Sequence, residues 1–247
     1  RLMINSYAFL RLPIQKKNYS VYPPSLNDSL KNPKFTQWEG LFTTSQEELE
    51  DSIHEHNPSY EGPIPTPWIF ILGSALEDKE FETTVREAFQ FFLHEDITIL
   101  YDSQVIVLGD LENELMNVTS AEELRIIDEE EFFELQNTVR ISLGMNPVEK
   151  PDPDESPRVK RMKAKARLRD RIKAKKGMGL SLGDSLVSIC CMGIGLTPLN
   201  IGEISYAALG KIIDRYQRKE AYETDVKSIL AGADAKKIHP KYWITNE

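Results

Sequence analysis

Residues 78–108 read DKEFETTVREAFQFFLHEDITILYDSQVIVL, and a change of period inside this stretch decides the fold class. From Asp78 to His94 the apolar residues Phe81, Val85, Phe89 and Phe92 recur at three- and four-residue steps, the spacing of one buried helical face. From Ile97 the period drops to two. Ile97, Ile99 and Tyr101, then Val105 and Val107, flank the polar pair Asp102-Ser103, which predicts a hairpin with a tight turn. A helix feeding directly into a hairpin, in a chain otherwise rich in helical signals, predicts a mostly α protein of the α+β kind.

Toward the N-terminus the signals stay helical. Tyr19 to Tyr22 alternates around Val21 and meets Pro23-Pro24, a short strand and a break. Ser25 to Leu30, Pro33 to Phe42 and Ser45 to His56 then predict consecutive short helices. Ser45 with Glu48 has the spacing of a capping box, in which each residue satisfies the other's backbone amide. Pro67 suits the first turn of an apolar helix from Trp68 to Leu76.

Beyond the hairpin, Ser120 with Glu123 predicts a capped helix running through Phe132, Leu135 and Val139 to Gly144. Asn146 to Pro157 holds Pro147, Pro151, Pro153 and Pro157 among Asp152, Asp154 and Glu155, a composition that defeats regular structure. The expected organisation is therefore an acidic helical domain at 1–145 with its hairpin, a flexible linker at 146–157, a basic helix at 158–177 and a compact helical unit at 178–247. Within that last unit, Leu182 to Met192 predicts a short helix and Thr197-Pro198 interrupts it. Asn200 with Glu203 predicts the cap of a longer helix with Ile204, Ala208, Ile212 and Tyr216 on one face and Leu209 and Ile213 on a second. Tyr222, Val226 and Ile229-Leu230 carry the pattern to Gly232.

Charge is segregated along the chain. The net charge is −9, yet Arg158 to Lys176 contains eleven bases and one acid, a local +10 that leaves −19 for everything else. The bases are Arg158, Lys160, Arg161, Lys163, Lys165, Arg167, Arg169, Arg171 and Lys173, with Lys175 and Lys176. Apolar residues among them fall on opposite sides of a helix, so the segment is solvated or bound to something negative. Nucleic acid is one such partner, and an acidic protein surface such as Asp128 to Glu131 is another. The absence of aromatic residues that stack on bases favours the protein partner or a spacer.

Enzyme chemistry is not legible. His54 and His56 point about 200° apart on a helix and cannot share one ion there. Asp152 and Asp154 are linker acids between prolines. Gly177 to Gly183 lacks the strand and the Lys-Ser/Thr of a phosphate loop. Adjacent Cys190 and Cys191 in an apolar run read as core filler, with no disulfide framework and a reducing compartment as the natural home. No apolar run reaches membrane-spanning length, and the opening Arg-Leu-Met-Ile-Asn lacks the pattern of a secretory signal. The expectation is a non-catalytic interaction protein of the host cell cytoplasm, without metal, cofactor or membrane partner.

One stretch resembles a known family. The run Asn200-Ile-Gly-Glu-Ile-Ser-Tyr-Ala-Ala-Leu-Gly, Tyr216, Lys219-Glu-Ala-Tyr222, then Leu230-Ala-Gly-Ala-Asp through Tyr242-Trp243-Ile is similar to the C-terminal part of tail assembly chaperones of long-tailed bacteriophages. Val21-Tyr-Pro-Pro and Glu47-Glu-Leu-Glu-Asp resemble phage proteins of Gram-positive hosts. The resemblance implies a protein that coats the tape-measure protein, or another tail protein, and keeps it in solution while the tail tube grows. Tyr206, Leu209, Ile213, Tyr216, Tyr242 and Trp243 are the candidate protein-binding residues, with self-association as a further expectation. The rival expectations are a structural virion component, such as a head–tail connector or tail protein, and a nucleic-acid-binding accessory protein using residues 158–176.

Overall fold

The computed structural model describes residues 2–110, 124–150, 156, 158–159, 162–167, 169, 182–234, 238 and 240–244. The protein is mostly α-helical with two small antiparallel sheets. The chain divides into two compact units: residues 1–150 together with Ser205–Ala207, and the remainder.

Unit 1 opens with α1 (Leu2–Leu10), which ends where Arg11 turns left-handed at φ 58° and Leu12 donates back to the Tyr7 carbonyl at 2.9 Å. Strands β1 (Ile14–Gln15) and β2 (Ser20–Val21) pair antiparallel, Ile14 opposite Val21. Helix α2 (Leu26–Lys31) follows a capping box between Ser25 and Asp28. Next come α3 (Phe35–Thr43) and α4 (Gln46–His56), the latter closed by the expected Ser45–Glu48 box. In α5 (Pro67–Glu77) the proline takes the first turn, where its missing amide costs nothing, and the Thr66 hydroxyl accepts from the Ile69 amide.

Helix α6 (Lys79–Leu93) lies at the centre and buries Val85, Ala88, Phe89, Phe92 and Leu93. Phe42 of α3 meets Phe89 and Phe92 edge-on, with ring centroids 5.2 and 5.4 Å apart. Trp68 of α5 packs on Phe132 at 4.9 Å. Offset and edge-on pairs are the arrangements that aromatic quadrupoles favour. The hairpin forms as expected from β3 (Ile97–Leu100) and β4 (Val105–Leu108), with Leu100 opposite Val105 and a four-residue turn between them.

The third strand and the following helix differ from expectation. Ile126–Ile127 is β5, paired with β4 through Ile106 opposite Ile127, and the helix α7 starts only at Glu129 and runs to Ser142. Asp128 caps it by accepting from the Glu131 amide at 2.9 Å. Two adjacent β-branched residues suit a strand edge, and the Asp-x-x-Glu that follows is itself an N-terminal signature. The proposed cap at Ser120 and Glu123 lies outside the described residues.

The first residues after α7 are tied down rather than free. Arg140 Nε donates to the Asn146 carbonyl at 2.8 Å, and Asn137 pairs with Val148 in both directions, at 2.6 and 3.2 Å. The rest of the linker, residues 151–155 and 157, lies outside the described residues, as does much of 158–177; where described, Arg158–Val159, 162–167 and Arg169 are helical.

Unit 2 contains α8 (Leu182–Cys191), a short 3-10 turn at Ile201–Glu203 and the body of α9 (Tyr206–Leu230). Asn200 does not cap α9. Its Oδ1 accepts from the Thr197 amide at 2.7 Å and closes the preceding turn, and Ile204 stays outside the helix. Gly232, at φ 100°, follows the end of α9 in the left-handed conformation that glycine adopts without strain.

Candidate functional site

Among the described residues no three His, Cys, Asp or Glu side chains come together in a way that would hold a metal, and no helix is long and apolar enough to cross a membrane. A groove of unit 1, about 580 Å³, lies against Lys34, Trp38, Arg86, Glu87 and Phe91. Lys34, Glu87 and Arg86 in it are already paired. Lys34 Nζ donates to both Glu87 oxygens at 2.8 and 3.0 Å, and Arg86 binds Glu82 and the Ile97 carbonyl. In the core nearby, burial first and the charge of Glu131 next push the Tyr19 phenol well above its ordinary range, so it stays neutral.

The candidate protein-binding residues lie on or beside α9. Advancing by about 100° per residue, Leu209, Ile213 and Tyr216 share one face within about 60°, and all three are half-buried. No other described element packs along α9 for more than isolated contacts. The Tyr216 hydroxyl bonds Glu220 one turn on; that bond first, with slight burial and the charges of Glu220 and Glu223, raises its pKa. On the same wheel Tyr206 lies within about 60° of Leu209 and about 20° of Ile213. It belongs to unit 1, where its ring packs on Phe35 at 5.3 Å and its amide donates to the Pro24 carbonyl at 3.0 Å. Burial, and then Glu39, raises the pKa of its hydroxyl. The periodicity that marked Tyr206 as a binding residue is the same periodicity that core packing uses.

Tyr242 and Trp243 come back to α9 by another side. The Tyr242 ring meets Tyr222 edge-on at 5.5 Å, and Arg215 Nη1 donates to the main-chain carbonyls of Trp243 and Ile244 at 2.8 and 3.4 Å. Arg215 and Tyr222 are seven residues apart, two turns along one edge of α9, so both meet the returning tail. Sequence reading passed over Arg215 because a charged residue on a helix has no apolar period.

Of the basic segment, Arg158, Lys163, Lys165 and Arg169 are exposed and Arg167 is half-buried. Val159 and Met162 are exposed beside them, at 41% and 64%. Lys160, Arg161, Arg171 and Lys173 lie outside the described residues.

Residues 172–247 match a family model described as the YomV second domain, a family derived from phage. The match spans α8, α9 and the returning tail, less than a third of the chain. No curated protein and no solved structure matches the sequence.

Proposed function

We propose that the protein is a non-catalytic phage tail assembly chaperone that holds a helical segment of the tape-measure protein, or another tail component, on α9. The observation that carries this reading is a 25-residue helix along which, beyond Ala208, no other described element packs for more than isolated contacts. A helix of that kind is the geometry with which helix-in-groove recognition works. The phage derivation of the matching family supports the setting. Leu209, Ile213 and Tyr216 make the contact, and the acid excess of the rest of the chain keeps the complex in solution.

The test is co-expression of the full chain with the tape-measure protein of the same phage. The expected result is a soluble client that co-purifies, and loss of both when Leu209→Asp or Ile213→Asp is introduced without loss of helical circular dichroism. A client that stays soluble with the folded variants, or that precipitates with the native chain, overturns the reading. A structural virion component would instead persist at fixed stoichiometry in purified particles. The exposed basic residues at 158–169 favour a second reading, binding to nucleic acid, recognised by an affinity that falls steeply with salt and falls again when those bases become alanine.

A further inference from the structure

We infer that α9 pairs antiparallel with α9 of a second copy of this chain. Leu209, Ile212, Tyr216, Lys219, Glu223, Val226 and Leu230 follow one another at alternating three- and four-residue steps. That is an unbroken heptad seam over nearly the whole helix. Six of the seven are half-buried, and Leu230, at the far end, is 82% exposed. The described contacts of the returning tail lie to one side of the seam's axis, since Arg215 and Tyr222 are displaced from it by roughly 70° on a wheel of 100° per residue.

Charge selects the occupant and its direction. Up to Lys219, α9 carries Lys211, Arg215, Arg218 and Lys219 against Asp214; from Glu220 on come Glu220, Glu223 and Asp225 against Lys227. A parallel copy would stack like charge on like. An antiparallel copy sets each basic half beside an acidic half, with complementary potentials along the whole contact. Two heptad registers pair six of the seven positions, and only one of them sets the two charged positions against each other. Ile212 faces Leu230 of the other copy, Tyr216 faces Val226, and Lys219 faces Glu223 twice at the centre. Within one chain Lys219 already lies 3.7 Å from Glu223, so pairing joins two ion pairs into a four-charge cluster. A polar layer inside an apolar seam fixes register at some cost in stability.

This pairing concerns the free protein and does not depend on the client reading, although it uses an overlapping surface. The test uses the full chain. Light scattering after gel filtration at tens of micromolar should give twice the monomer mass. Lys219→Glu, at a half-buried position whose fold is checked by unchanged helical circular dichroism, should raise the dissociation midpoint about tenfold, and an equimolar mixture with Glu223→Lys should restore it. In a chain with Cys190→Ser and Cys191→Ser, an oxidised mixture of Ile212→Cys and Leu230→Cys should yield the crosslinked heterodimer. Those positions lie about 27 Å apart in a parallel pair. A monomeric native chain overturns the inference, as does crosslinking of either cysteine variant with itself alone. A chain that is monomeric alone yet binds the tail client would leave the chaperone reading standing and this one refuted.

Discussion

Ser205 Oγ donates a 2.7 Å hydrogen bond to the Ala8 carbonyl, joining residues 197 positions apart. The same hydroxyl accepts from the Ala207 amide at 3.1 Å, and Ser205 is 2% exposed. A buried hydroxyl that both donates and accepts has no apolar substitute of equal worth. Ser205→Ala should destabilise unit 1 by about 1–2 kcal/mol, since the Ala207 amide is left without its partner. Urea unfolding followed by tryptophan emission measures this, because Trp38 and Trp68 are both in the unit 1 core. An unchanged midpoint would show that the bond contributes nothing.

The helices flanking residues 78–108 were legible because their signals are local. A capping box spans four residues, and the period of α6 repeats within one segment. The turn of β3 and β4 declares itself in four residues. What escaped depends on distant partners. Ile126–Ile127 becomes a strand because β4 offers it an edge. The Tyr206 ring packs on Phe35, far back in the chain. Spacing puts Leu209 and Ile213 together and Tyr216 with Ile212, and only the full wheel brings Tyr216 within about 60° of the first two; the turn of the tail onto Arg215 has no such signal, since main-chain carbonyls carry no sequence signature.

Acid should weaken unit 1 through Asp28. Burial alone would raise its pKa, but the Ser25 hydroxyl and amide bonds, with Arg11 and Lys31, outweigh it and hold the carboxyl below its ordinary 3.8. A folded pKa below the unfolded one gives stability that is complete above the unfolded value. That stability is lost as pH falls through the folded value. The native chain should therefore lose urea resistance below about pH 4 more steeply than Asp28→Asn. The two should differ most near neutrality and converge in acid. Parallel curves over that window would show that Asp28 does not supply the slope.

Residues 1–150 should fold without the rest of the chain, but weakly. Ser205–Ala207 belongs to their packing: the Tyr206 ring on Phe35, its amide on the Pro24 carbonyl, the Ser205 bond to Ala8, and Ala207, 3% exposed. Gly144 fits this arrangement. It is left-handed at φ 81°, and a Cβ there would come within 3.0 Å of the Ala207 backbone. Two buried hydrogen bonds at about 1 kcal/mol each, one aromatic pair and a modest apolar burial sum to about 4 kcal/mol. Domains are stable by only about 5–15 kcal/mol, so the loss is a large fraction of the whole. A chain truncated after Lys150 should keep its helical circular dichroism at 10 °C yet unfold at distinctly lower urea. About 4 kcal/mol of binding corresponds to a millimolar dissociation constant, so a peptide of residues 199–209 should restore part of the loss at millimolar concentration and none at micromolar. A truncated chain as stable as the intact one would show that the segment rests on unit 1 without supporting it. Failure of the peptide to rescue a weakened chain would place the missing stability elsewhere in residues 151–247.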